Sequence, residues 1–261
     1  MADKDTPLLV SLERGILRLT LNRPRAHNAL DPDLIGSLET VLRESTADEG
    51  VRAVVLSGGR RAFSFGADLN DLPRDAEKRG MALDAILPRF QTMIVRLAHF
   101  PVPTIAAIGG FATGAGLDLA LACDLRIASS SAKISSAFVR MGLVPDGGGT
   151  YRLPRIVGLG RTFELLFAAQ PLTAEKAHGM GLVNRVVPAA DLESAALALA
   201  RSIAELPQGA VRAAKALVLS NLTEELEGAL AAEAMEQSAR FRSDEFTEGL
   251  GLLERKPKKT R

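Results

Sequence analysis

The chain has 261 residues, 47% hydrophobic and 24% charged, which is enough to bury a sizeable core and excludes a disordered or collagen-like polymer. Thirty-two Lys and Arg against 31 Asp and Glu leave a formal net charge of +1, so bulk charge gives no reason to expect nucleic acid or a membrane as partner. The single cysteine, Cys123, excludes an intramolecular disulfide framework, and the scattered His27, His99 and His178 lack metal-ligand spacing, so no metal is expected.

The opening "MADKDTPLLV" has no apolar core of signal-peptide length, and no later run approaches the roughly 18–20 apolar residues of a membrane span. A cytoplasmic protein is expected. Residues 8–21 alternate around Glu13-Arg14-Gly15, which predicts a hairpin with one covered face. Asp31 reads as a helix N-cap with Pro32 at the first helical position, and Leu34, Leu38, Val41 and Leu42 follow in helical spacing. "VRAVVLSGG" (51–59) and "TIAAIGG" (104–110) are short, continuous apolar strands that each feed a glycine-rich turn.

Between those strands, charged residues interrupted by Pro73, Gly80 and Pro88 predict a mobile loop over 70–88, ahead of a helix near 89–99. "CDLRIASSSAKISSA" (123–137) supplies two further short strands. From about residue 161 the pattern is helical, with amphipathic stretches at 189–205, 209–219 and 223–240, and the closing "ERKPKKTR" reads as a solvated basic tail. The organisation is α/β: a core over 1–195 and a helical region over 196–261 within the same functional unit. The strand, strand, helix order fits stacked ββα turns better than a doubly wound sheet, but the pattern leaves both open.

Two glycine turns and two carboxylates carry the chemical interest. "GGFATGAGLDLALACD" follows the strand "TIAAI", yet Leu119 stands where a dinucleotide fingerprint needs its third glycine. The turn makes more sense as a place where backbone approaches a ligand, with an unhindered N–H at Gly116 and a helix N-terminus behind it. Gly66-Ala67 in "RAFSFGADL" is a second such turn. The pair is either an oxyanion hole or two ordinary tight turns. Asp118 lies in an almost wholly apolar stretch, and is either a perturbed acid–base group or a carboxylate tied to backbone or arginine. Asp146, just before three glycines, either caps the helix beginning near Gly149 or moves a proton.

Taken together, "LNRPRAHNAL", "FSFGADL", "GGFATGAGLDLALACDLRIAS" and "GLVPDGGGTYRLPR" resemble, in order and interval, the crotonase superfamily of enoyl-CoA hydratases and isomerases. The resemblance covers essentially the whole chain. It implies a crotonase-like spiral of ββα repeats with a C-terminal helical trimerisation region, a homotrimer or hexamer, and acyl-CoA thioesters as ligands. Coenzyme A then arrives as part of the substrate, and no other cofactor is implied. It assigns Ala67 and Gly116 to the oxyanion hole, and places Arg25, Ala26, His27, Asp68 and Leu69 along the adenine and pantetheine. Phe246 resembles an aromatic that closes the CoA site, across a subunit boundary.

The resemblance also exposes a departure. Hydratases of the family hold their water with two glutamates; Asp118 stands at the first position and Phe138, which would line the acyl pocket, at the second. In dienoyl-CoA isomerases and related members an aspartate at the position of Asp146 serves in chemistry. The expected activity is therefore double-bond isomerisation with Asp146 as proton shuttle and Asp118 orienting or assisting it. The alternatives are hydration or another lyase or hydrolase step on the same scaffold, and acyl-CoA binding without turnover.

Overall fold

The computed structural model describes residues 6–69, 73 and 75–254, and forms two compact units, one ending at Ala204 and the other beginning at Glu205. The hairpin is present as antiparallel strands β1 (Leu8–Glu13) and β2 (Ile16–Leu21), with Leu8 opposite Leu21 and Glu13 opposite Ile16. Its two-residue turn puts Arg14 and Gly15 at φ 51° and 78°, the left-handed pair that matches strand twist. Helix α1 (Pro32–Ser45) starts as its sequence dictates: the Asp31 carboxylate accepts from the Leu34 N–H at 2.8 Å, and Leu34, Ile35, Leu38 and Leu42 are buried.

Three successive turns then repeat one plan. Strand β3 (Ala53–Ser57), strand β4 (Ala62–Ser64) and helix α2 (Ala76–Ala98) form the first. Strands β5 (Thr104–Ile108) and β6 (Phe111–Thr113) with helix α3 (Ala115–Ala122) form the second. Strands β7 (Leu125–Ser129) and β8 (Lys133–Ser135) with helix α4 (Gly149–Val157) form the third. The first strand of each turn joins one sheet and the second strand another, and like strands run parallel. This is the ββα spiral, not a doubly wound sheet.

After α4 come helix α5 (Leu159–Ala168), strand β9 (Leu172–Thr173), helix α6 (Ala174–Gly179) and strand β10 (Arg185–Val187). The two strands correct the all-helical expectation beyond residue 161. β9 closes the four-stranded sheet (β4-β6-β8-β9) and β10 the six-stranded one (β1-β2-β3-β5-β7-β10). With two and three residues they are too short to show a period of their own.

Two further expectations are corrected. Helix α2 begins at Ala76, within the stretch read as a loop over 70–88, with the Asp75 carboxylate accepting from the Lys78 N–H at 3.0 Å. Its first turns are largely solvated and only Phe90, Met93, Ile94 and Leu97 are buried, so the apolar signal begins where the helix meets the core. Pro88 sits inside it. Asn70, Asp71, Leu72 and Arg74, the opening residues through Asp5 and the basic tail from Arg255 lie outside the described residues. Helix α7 (Leu192–Ala204) belongs with the core rather than with a region starting at 196: Ala196 and Ala200 are buried against Val55, Ile105 and Ile127 of the six-stranded sheet. The opposite face of that sheet packs Leu19, Leu56 and Ile108 into the main core with residues of α1, α2 and α3.

The second unit consists of α8 (Gln208–Ser220), α9 (Leu226–Arg240) and α10 (Asp244–Glu254). Among the described residues no helix is long and apolar enough to cross a membrane, and no group of three or more His, Cys, Asp or Glu is placed to hold a metal ion.

Candidate active site

The two glycine turns come together. Gly66 has φ 94°, and a Cβ on it would lie 2.7 Å from the Thr113 carbonyl oxygen and 3.2 Å from the Ala115 nitrogen, so only glycine lets this segment reach the start of α3. From the other side, any side chain on Gly116 would overlap the Ser64 carbonyl. The close approach leaves specific amides free. Leu30 bridges this strand through the Gly66 carbonyl, which accepts its N–H at 2.7 Å, and through the Asp68 N–H, which donates to its carbonyl at 3.0 Å. Successive N–H groups of an extended strand alternate in direction, so the Ala67 N–H faces away from Leu30.

At the start of α3 the Gly114 carbonyl accepts from Leu117 and Asp118, at 2.9 and 3.1 Å, and leaves the N–H groups of Ala115 and Gly116 at the positive end of the helix. Among the described residues none of the three amides, Ala67, Ala115 or Gly116, has a protein acceptor. Ala115 is a donor that the sequence reading missed. Its nitrogen lies nearer the Cβ position of Gly66 than that of Gly116 does, 3.2 against 3.6 Å.

Asp118, one turn into α3, is only 1% exposed. Its Oδ2 accepts the Gly147 N–H at 2.9 Å, and the Gly149 N–H also stabilises the anion. Residues 147 and 149 have no room for a side chain because Asp118 fills it. Asp118 thus anchors the turn that opens α4. The capping role considered for Asp146 is not seen: the cap residue of α4 is Gly148, at φ 93°, and it receives no side-chain bond. Burial pushes the Asp118 carboxyl up to about 7; the Gly147 N–H opposes this, the Asp146 charge adds to it, and Gly149 and Arg152 oppose it.

Asp146 stands next to that anchored turn, half-buried, with Gln91 of α2 donating to its carbonyl at 3.1 Å. Its Oδ1 is buried without a hydrogen-bond partner among the described residues, and burial raises its carboxyl above the usual range against the pull of its own N–H. Of the two carboxylates, Asp118 is held by the backbone of a distant turn, whereas Asp146 meets its own N–H and keeps Oδ1 unpaired among the described residues. Phe138, buried on a short 3-10 turn, places its ring edge 3.8 Å from the Cβ position of Gly114. The start of α3 therefore meets an apolar ring.

The remaining residues fall in two places. Arg25 and Ala26 lie on a 3-10 turn, and the ring of the exposed His27 (φ 50°) lies tilted against Phe65 at 4.9 Å; Phe65 meets Phe111 at 5.0 Å. These three rings, with Arg60, Arg61 and Ser131, border an open cavity of about 330 Å³. Arg60, Arg61 and Phe65 of the first turn and Phe111 of the second were not singled out in the sequence. Leu69 is exposed, whereas the Asp68 carboxylate is held by Arg23 at 2.9 Å. Phe246 lies on α10 in the second unit, its ring 4.7 Å from that of Phe241.

The anchor makes a prediction about stability. The folded state binds the Asp118 proton more tightly than an unfolded chain with the ordinary value of 3.8, so the stability this group contributes is full below about pH 4 and is lost as pH rises through about 7. Chemical denaturation of Asp118→Asn between pH 4 and 8 is expected to lack this falling component. An unchanged slope would show that Asp118 titrates normally.

Comparison with known proteins bears on the whole chain. The family model described as enoyl-CoA hydratase/isomerase matches residues 11–260. The chain is 37% identical over 256 residues to 1,2-epoxyphenylacetyl-CoA isomerase of Escherichia coli, covering 97% of this chain and 98% of that protein. It is 37% identical over 248 residues to a protein of Rhodobacter capsulatus named probable enoyl-CoA hydratase, covering 94% of each. The crystal structure of enoyl-CoA hydratase from Bacillus anthracis matches with a TM-score of 0.91 at 32% identity, over 95% of this chain and 96% of that one. This likeness extends from the opening hairpin into the last helices: the protein belongs to the enoyl-CoA hydratase/isomerase family.

Proposed function

We propose that the protein moves a double bond in an enoyl-CoA thioester. The Ala67 N–H and the free amides at the start of α3 hold the thioester oxygen, Asp146 takes a proton from the carbon next to the carbonyl, and the resulting dienolate is stabilised by the amides and the helix end. The same carboxyl returns the proton two carbons along. One carboxylate suffices for both transfers, and no bound water takes part. The observation that carries this reading is the division between the two aspartates: Asp118 is spent on the Gly147 turn, while Asp146 keeps a buried oxygen unpaired beside it. Phe138 keeps the acyl side apolar.

The isomerase name of the Escherichia coli relative supports this assignment. The cavity beside His27 offers aromatic faces to a flat base and the guanidinium groups of Arg60 and Arg61 to phosphates, which suits a coenzyme A handle running past Arg25, Ala26 and Leu69. No cofactor beyond that handle is needed. Exposed Val218, Leu222, Leu226 and Leu230 on the second unit support assembly into a homotrimer or hexamer, in which Phe246 would close a neighbour's CoA site. A cytoplasmic setting fits a single cysteine that is buried.

A hydration reading has its own support in the Rhodobacter capsulatus relative's name and in two carboxylates close enough for one to raise the other. A proton NMR time course with a medium-chain 3-enoyl-CoA in deuterated water separates the readings. Migration to the 2-enoyl thioester with deuterium uptake is expected. Accumulation of a 3-hydroxyacyl thioester would replace isomerisation by hydration, and tight binding without any change across an acyl panel would indicate a binding protein.

A further inference from the structure

Arg23 stands at the centre of a network that no step of the proposed reaction uses. Its Nη1 donates to the Ala29 carbonyl at 2.5 Å and to Asp68 Oδ2 at 2.9 Å, and its Nη2 meets Asp31 Oδ2 at 2.9 Å. Asp31 caps α1, and Asp68 directly follows Ala67. One planar guanidinium thus joins a helix start, a loop carbonyl and the residue after the candidate carbonyl-binding amide. The three side chains are sheltered, 22%, 21% and 11% exposed for Arg23, Asp31 and Asp68.

Around this fork the two segments are laced at several points. Buried Asn28, at φ 55°, accepts the Arg23 N–H on Oδ1 at 2.8 Å and donates from Nδ2 to the Ala62 carbonyl at 3.0 Å. Ser64 Oγ donates to the Asn28 carbonyl at 2.8 Å and accepts the Gly66 N–H at 3.1 Å. Ala67 sits between the last of these ties and Asp68, flanked by both hydrogen bonds of the Leu30 bridge. The direction of its N–H is set by neighbours on either side, and on the Asp68 side Arg23 holds the carboxylate.

We infer that Arg23 is a positioning residue for the Ala67 amide: by holding Ala29, Asp31 and Asp68 on one guanidinium, it fixes the angle at which that N–H meets a thioester carbonyl. The inference rests on the carbonyl-binding role proposed for Ala67. Lysine would not substitute, because a single ammonium on a flexible stem cannot span three acceptors in this fork, although it keeps the charge that neutralises the two carboxylates. A displaced amide weakens polarisation of the carbonyl more than it weakens binding of the rest of the ligand.

The test uses a saturated thioester, [1-¹³C]hexanoyl-CoA, which has no double bond to move, bound to the full-length protein and read by isotope-edited infrared difference spectroscopy. In the wild type the carbonyl stretch is expected to shift to lower frequency on binding. In Arg23→Lys the shift is expected to fall to less than about half, with kcat on an enoyl-CoA down about tenfold or more and KM within about threefold. Asp68→Asn, which removes one carboxylate of the network and leaves the Ala29 and Asp31 contacts in place, is expected to fall between the two, and serves where the lysine variant fails to fold. A full wild-type shift in a folded Arg23→Lys protein, or in Asp68→Asn if only that variant folds, would overturn the role of Arg23 and leave Ala67 as carbonyl donor. Absence of a shift in the wild type would overturn both.

Discussion

Asp146→Asn is expected to lower kcat for double-bond migration by about 10²–10⁴-fold, the usual weight of a positioned acid–base group, while thioester affinity stays within about threefold. Asparagine has the same shape and fills the same half-buried space, so the loss reports chemistry rather than packing. Thermal stability should not fall, because the variant removes a carboxyl that burial already opposes when charged. The pH profile gives a second check. A base must be ionised, and burial raises Asp146, so the rising limb of kcat/KM is expected above the ordinary carboxylate range in the wild type. The Asp146 charge also raises Asp118. Retention of full isomerase activity and of that limb by Asp146→Asn would remove Asp146 from the mechanism.

Ala67→Pro is expected to cost about 10²–10³-fold in kcat, about 3–4 kcal/mol of transition-state stabilisation, as for loss of one preorganised donor. Proline is the substitution that deletes a backbone N–H. At this position no hydrogen bond of the fold is lost, since the Ala67 N–H has no protein acceptor among the described residues and the Leu30 bridge runs through Gly66 and Asp68. Turnover measured beside denaturation and thioester affinity separates the two effects. A folded, thioester-binding Ala67→Pro enzyme with unchanged kcat would show that carbonyl polarisation comes from α3 alone.

What could be read from the sequence was whatever local chemistry encodes. Asp31-Pro32 fixes the start of α1, and Arg14-Gly15 the hairpin turn, because cap and turn are decided within four residues. The glycines at 66 and 116 likewise declared a close approach before its partner was known. The first turns of α2 are mostly solvated and offer no apolar period, so Gly80 and Pro88 dominated the reading there. Long-range ties were the least legible. The Asp118 bond to Gly147 spans 29 residues and the Arg23 bond to Asp68 spans 45, and no periodicity connects such pairs.

The tight seat of Asp118 bears on how readily this scaffold could exchange one reaction for another. The Cβ position of Gly147 lies 2.7 Å from the Asp118 Cβ and 2.9 Å from the Phe90 ring, and Gly149 is equally crowded by the carboxylate. A glutamate, one methylene longer in the same direction, would crowd the segment that carries Asp146. Installing a pair of glutamates at 118 and 138 would therefore push Asp146, the base proposed above, out of register before the new pair was complete. An engineer, or a drifting lineage, would have to rebuild 145–149 in the same move, so the route between the two activities on this backbone is a jump of several coordinated substitutions rather than a walk of single ones.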